Sequence, residues 1–254
     1  MCTAFVRRGN DVISGFNMDI NPEALMYEVY AEDDGFYVGM QVPDTNLKVR
    51  IHGVNRNGNF ANQLNNMDFH KAPYREGEDA VSLDRLIHAY LSGVLSFDAL
   101  KETAEKKEIT QMATGIVDIP TIAFHSLITD STGRIMMLEP GNGFSLITEK
   151  YAALSNFSMM ELPKDFTESK YGYYGKDRYD TAMNYLRNSS DDFSVEDGLQ
   201  ILESVKQTGR WATKVSFVYS RNENAVYFCQ DGQFDRIKKV CFTNPLTSSN
   251  HYDK

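Results

Sequence analysis

Apolar residues along this chain switch between a spacing of two and a spacing near 3.6, block by block, and that alternation is what most limits its fold. In the first fifth, Thr3-Ala4-Phe5-Val6 and Val12-Ile13-Ser14-Gly15-Phe16 are short β-type runs on either side of Arg8-Gly9-Asn10-Asp11, a group of turn formers. A second strand pair is predicted in LKVRIHGVNRNGNFANQLN, where Asn55-Arg56-Asn57-Gly58 supplies hairpin chemistry. From Ser82 the spacing lengthens: Leu83, Leu86, Ile87, Tyr90 and Leu91 fall on one helical face, with Ser82 placed to cap. A second capped helix follows in SFDALKETAEKK. Strands return in IAFHSLITDSTGRIMMLEP, with a turn over Asp130 to Gly133, and in GFSLITEKYAALSN. Two more helices are predicted, over about Tyr179 to Arg187 and in SVEDGLQILESVKQ behind Ser194, before a C-terminal hairpin and third strand in TKVSFVYSRNENAVYFCQDGQFDRIKKVCF.

Blocks in that order predict an α+β protein whose antiparallel sheets are covered by helices, an α-β-β-α sandwich. With no repeat, low-complexity tract or linker, residues 1–254 read as a single domain. The composition, 42% hydrophobic and 12% aromatic over 254 residues, is ample for its core. A net charge of -9, from 26 basic and 35 acidic residues, repels phosphate backbones and argues against nucleic acid as a partner. No stretch approaches the roughly 18 to 20 apolar residues of a membrane span, so the chain reads as cytoplasmic with no membrane partner. Three cysteines without a C-x-x-C and five scattered histidines suggest neither a disulfide framework nor a metal site. No cofactor is implied, and a homo-oligomer is left open. Cys229 and Cys241 read as buried strand residues.

Cys2 stands directly behind Met1, and a second residue this small permits removal of the initiator. The exposed terminus would then carry a thiol and an α-amine, with reference pKa values near 8.5 and 7.7 to 8, able to exchange a proton around neutrality. One residue would thus hold its own nucleophile and base. A two-residue loop at Gly9-Asn10 or Asn10-Asp11 places Cys2 opposite Asn17 or Asp19, with Asp19 on the same strand face, ready to hold the amine; a three-residue loop reverses that parity.

The opening MCTAF with GFNMD a hairpin later resembles the M-C-T and G-R-N-M/L-D elements of the choloylglycine hydrolase family, N-terminal nucleophile (Ntn) hydrolases that include bile salt hydrolases and penicillin V acylases. HGVNRNGNFANQLN is similar to the family segment ending in an oxyanion-hole asparagine, here Asn65. AALSNFS corresponds to the stretch holding the second such asparagine, Asn156, and GKDRYDTAMNYL to the helix start with the active-site arginine, Arg178. The resemblance implies an Ntn-hydrolase fold and cofactor-free hydrolysis of a linear amide in a small N-acyl compound, through a Cys2 thioester, with Cys2, Asp19, Asn65, Asn156 and Arg178 as catalytic residues. Phe16 stands where bile salt hydrolases have an arginine, and the chain is shorter than theirs. Asn17, beside Asp19, would either orient the cluster or face solvent. In YGYYGKDRY, Tyr173 and Tyr174 would form either a flap over an acyl pocket or a core-filling loop. Phe16, Asn17, Tyr173 and Tyr174 are the candidate pocket residues. An acyltransferase, or a silent ligand-binding member in which Phe16 marks a lost charge, are the competing readings.

Overall fold

The first hairpin turns in three residues. In a computed structural model describing residues 2–21, 27–41, 48–66, 72–75, 77–112, 123–161 and 174–242, β1 (Cys2–Arg8) pairs antiparallel with β2 (Val12–Asp19), Arg8 facing Val12 and Cys2 facing Met18. Within the turn the Gly9 N–H donates to the Asp11 carbonyl at 2.8 Å. A Cβ at position 9 would lie 2.4 Å from the Asp191 carbonyl oxygen, so that close backbone approach requires glycine. The third turn residue corrects the expected pairing of Cys2 with Asn17 or Asp19. It moves every β2 side chain to the other face. Cys2, Ala4 and Val6 now share a face with Phe16 and Met18, whereas Asn17 and Asp19 share the opposite one with Thr3 and Phe5.

Two sheets follow from the pairing. One runs β13 (Tyr151–Leu154), β1, β2, β14 (Thr213–Ser220), β15 (Ala225–Gln230), β16 (Lys238–Cys241). The other runs β12 (Gly143–Ile147), β11 (Ile135–Glu139), β10 (Phe124–Thr129), β6 (Phe60–Ala61), β5 (Lys48–Asn55), β4 (Gly35–Gln41), β3 (Tyr27–Glu32), with β7 (Leu64–Asn65) also on β10. Every pair within both sheets is antiparallel. A small parallel pair, β8 (Ala80–Ser82) with β9 (Glu108–Thr110), stands apart.

Three apolar clusters separate four layers. Between the sheets, Phe217 from one meets Phe36 and Phe60 from the other, with ring centroids 5.1 and 6.0 Å apart, and Phe16 lies beside Phe217 at 5.7 Å, spacings at which edge and tilted contacts are favourable. The outer face of the second sheet is covered by α1 (Leu83–Leu91) and α2 (Phe97–Lys106), through Leu83, Leu86, Ile87, Tyr90, Leu91, Phe97 and Leu100. The outer face of the first is covered by α3 (Lys176–Asn188) and α4 (Val195–Ser204), where Phe5, Ile13 and Val218 pack against Ala182, Leu186, Ile201 and Leu202. The result is the expected α-β-β-α sandwich. Among the described residues, no helix is long and apolar enough to cross a membrane.

Local chemistry accounts for two of the four α-helix starts among the described residues. Ser194 and Asp197 close a capping box on α4, and Ser96 accepts from the Ala99 N–H at 3.1 Å on α2. Ser82, also the last residue of β8, occupies the expected position on α1 but makes no side-chain capping bond. Cys229 is buried as expected. Cys241 is not: it lies exposed on β16, the edge strand, whose outer side nothing covers among the described residues.

Candidate active site

Cys2 starts β1 between β13 and β2, and its 6% exposure puts it at the rim of the inter-sheet core. Its backbone nitrogen donates to Asn156 Oδ1 at 2.7 Å, and its carbonyl accepts from Arg178 Nη1 at 2.5 Å. Burial raises the thiol pKa and the Asp19 carboxylate adds to the rise; the backbone N–H of Asp19, which bonds the sulfur, and the Arg178 cation act in the opposite direction without reversing it.

Asp19 ends β2, wholly buried on the helix-facing side. Burial raises its pKa to about 7, against the opposing effects of a hydrogen bond from Thr213 and the charge of Arg178. Thr213, across from Asp19 where β14 enters the sheet beside a bulge, donates its hydroxyl to Asp19 Oδ1 at 2.6 Å. The Gln207 N–H donates to that same hydroxyl oxygen at 2.8 Å, which leaves the hydroxyl proton for the carboxylate. Arg178 Nη1 lies 3.6 Å from Asp19 Oδ2, and the guanidinium is 97% shielded from solvent. Replacing Thr213 with valine removes a donor that stabilises the charged form, so the Asp19 carboxyl is expected to titrate above pH 7. A carbon-detected NMR titration reads this; T213S restores the wild-type midpoint, and an unmoved midpoint in T213V refutes the assignment.

Asn156 lies just past β13 and is fully buried. Its Oδ1 accepts from both the Cys2 nitrogen and Arg178 Nη2, each at 2.7 Å, which fixes the amide orientation. Its Nδ2 donates one hydrogen to the Asn65 carbonyl at 2.7 Å, leaving the second for another acceptor. Asn65 belongs to the other sheet. Asn66 donates to the Ala123 carbonyl at 2.7 Å, so 66 and 123 are a hydrogen-bonded pair and the next pair, 65 with 124, is not. Phe124 N–H is instead satisfied by Gln111 Oε1. The Asn65 N–H and C=O therefore both point away from β10, toward Asn156. Cys2, Asp19 and Asn156 from one sheet, Asn65 from the other and Arg178 from α3 thus meet at one end of the sandwich.

The four pocket candidates fare differently. Phe16 is wholly buried in the inter-sheet seam, its ring 4.3 Å from the imidazole of His52, and has no surface for a ligand. Burial drives the His52 pKa down to about 3, so this neighbour adds no charge near neutrality. Asn17 is buried on the opposite face, donating to the Leu202 carbonyl of α4 at 2.8 Å, and so pins a helix instead of lining a pocket. Both corrections follow from the three-residue turn. Tyr174 is 48% exposed just ahead of α3, and Tyr173 lies outside the described residues. Thr3, which accepts from Arg178 Nη1 at 2.8 Å, and Thr213 join the site without any sequence signal; their roles depend on strand register between distant segments.

No protein-family profile and no curated protein sequence matches the chain. Solved structures do. A mutant of conjugated bile acid hydrolase from Clostridium perfringens gives a TM-score of 0.65 at 14% identity, over 95% of this chain and 92% of that one. A second variant of that hydrolase gives 0.61 at 14% identity over 97% and 100%, and penicillin V acylase from Agrobacterium tumefaciens gives 0.56 at 14% identity over 90% and 83%. Likeness at this identity speaks for architecture: the chain shares the α-β-β-α sandwich of these conjugated bile acid hydrolase and penicillin V acylase structures.

Proposed function

We propose that this chain hydrolyses the C–N bond of a linear amide in a small N-acyl compound, with Cys2 as nucleophile once Met1 has been removed. The observation that carries the reading is the 2.7 Å bond from the Cys2 nitrogen to Asn156, which holds the future α-amine at the point where both asparagines and Arg178 converge. The thiol proton passes to that amine and the sulfur attacks the acyl carbon, forming a C–S bond while the carbonyl electrons move to oxygen. The second Nδ2 hydrogen of Asn156 and the Asn65 N–H donate to this oxyanion. Collapse expels the amine, which takes the proton from the α-ammonium and leaves a thioester. Water, deprotonated by the same α-amine, then releases the acid and regenerates the thiol. Asp19 and Arg178 fix the terminus from the helix side.

The similar structures act on conjugated bile acid and on penicillin V, which makes these the first amides to try. A second reading, a ligand binder, is favoured by one observation: Phe16, on the same face of the first hairpin as Cys2, contributes an uncharged, buried ring. Iodoacetamide with mass mapping of the Met-free protein separates them. The hydrolase reading expects Cys2, although buried, to be alkylated at least ~10-fold faster than exposed Cys241, with Cys229 slowest because burial lifts its thiol to about 11. Labelling of Cys241 ahead of Cys2 would sink the hydrolase.

A further inference from the structure

A second polar cluster lies behind the asparagines, and its one link to Cys2 among the described residues is Ser155, whose hydroxyl donates to the Cys2 carbonyl at 3.4 Å. Glu139, the last residue of β11, is 2% exposed, yet its carboxylate gathers four donors from three segments. Oε1 accepts from Asn66 Nδ2 at 3.4 Å, from Asn142 Nδ2 at 3.0 Å and from the Ser158 hydroxyl; Oε2 accepts from the Met159 N–H at 3.3 Å. His125 on β10, 1% exposed, donates from Nε2 to the Ser155 carbonyl at 2.6 Å and turns Nδ1 toward Glu139 Oε2, 3.8 Å away. Burial alone would push the Glu139 carboxyl up, but the imidazole and the hydrogen-bond donors outweigh it and hold the group below the usual glutamate range.

The partners are not scattered. Ser155 precedes Asn156, Ser158 and Met159 follow it by two and three residues, Asn66 follows Asn65, and His125 pairs with Leu64, the residue before Asn65. The segment carrying each asparagine is therefore held from this one cluster. Stability is a weak reason to keep such a cluster, because apolar side chains of similar volume commonly serve as well or better than a buried charged group. Placement is a stronger one, since an oxyanion donor works only within a few tenths of an ångström of its acceptor.

We propose that Glu139 and His125 are positioning residues: together they fix the segments bearing Asn65 and Asn156, so that the two oxyanion donors converge beside Cys2. This rests on the reading of those asparagines given above. Neither residue touches substrate, and both act through the backbone and side chains they hold.

Three readouts on E139A, E139Q, H125A and H125Q test this. The first is kcat and KM on penicillin V and on a conjugated bile acid. The second is the rate of Cys2 alkylation by iodoacetamide, a displacement that develops no oxyanion. The third is the ¹H–¹⁵N signal of the Asn156 side-chain amide. E139A is expected to lower kcat ~30- to 300-fold, below the loss of a donor itself, with KM within ~3-fold, alkylation within ~2-fold and the Asn156 signal displaced. Gln at position 125 keeps an N–H for the Ser155 carbonyl, so H125Q is expected to retain ~10-fold more activity than H125A. Unchanged kcat in E139A, or equal falls in turnover and alkylation, overturns the proposal. Should E139A not fold, E139Q, which keeps the volume, carries the same comparison. If wild type turns over neither amide, the hydrolase reading is what has failed. The Asn156 signal then decides the positioning role: displaced in E139A or E139Q it stands, unmoved it falls.

Discussion

Asn156→Ala is expected to lower kcat for amide hydrolysis by ~10²–10³, about 3 to 4 kcal/mol in the barrier, which is the usual cost of an oxyanion donor. The same change strands two buried donors, the Cys2 nitrogen and Arg178 Nη2, that now end on Asn156 Oδ1. A stability loss of about 1 to 3 kcal/mol should accompany it. Asn156→Asp separates the two effects. Aspartate accepts from both stranded donors, so stability should largely return; it offers no hydrogen to an oxyanion, and its charge faces the Asn65 carbonyl that Nδ2 now satisfies at 2.7 Å. Turnover should stay as low as in N156A. Burst kinetics with mass detection of the thioester shows whether acylation is the step affected. An N156A enzyme within ~3-fold of wild type rules out the donor role.

Arg178→Met should be the most destabilising single change at this site, at about 3 to 5 kcal/mol, the cost of removing one partner from a buried ion pair. Arg178 is 3% exposed and Asp19 fully buried, so the carboxylate would lose the guanidinium 3.6 Å away and keep the Thr213 hydroxyl. The effect has a sign in pH. Asp19 titrates near 7 when folded and near 3.9 in an unfolded chain, so the folded state binds the proton more tightly. The cost of ionising Asp19 is absent below about pH 4, grows between 4 and 7, and is complete above the folded value. Without Arg178 that folded value rises further. Urea midpoints should therefore show a larger loss in R178M at pH 8 than at pH 5, and D19N introduced into R178M should recover part of it. Equal losses at both pH values, with no recovery from D19N, would mean that Arg178 acts only as a hydrogen-bond hub for Cys2, Thr3 and Asn156.

Local pattern made the helices and most strands legible, because an apolar face repeats within ten residues and needs no partner to be seen. The five apolar positions predicted for α1 are the five it buries. β3 escaped because Tyr27–Glu32 is largely solvated and carries no clean alternation. Parity at Cys2 turned on one residue of loop length, which composition cannot count: Gly9-Asn10-Asp11 suits a two- or a three-residue turn equally. That choice moved Phe16 into the core and Asn17 under α4. Thr213 and Glu139 were invisible for a different reason. Each is an ordinary strand residue until a segment far away in sequence is brought beside it, and only the folded register does that.

The bond from Asn156 to Asn65 joins one sheet to the other, so the spacing between the two halves of the sandwich is itself a parameter of the site. The aromatic seam of Phe16, Phe36, Phe60 and Phe217 sets that spacing from the interior. Shaving one of those rings would let the layers settle by a fraction of an ångström, and on the amide-hydrolase reading turnover would register the slippage although no reacting group had been altered. The filling between the layers would then set the rate as much as the residues at the rim do.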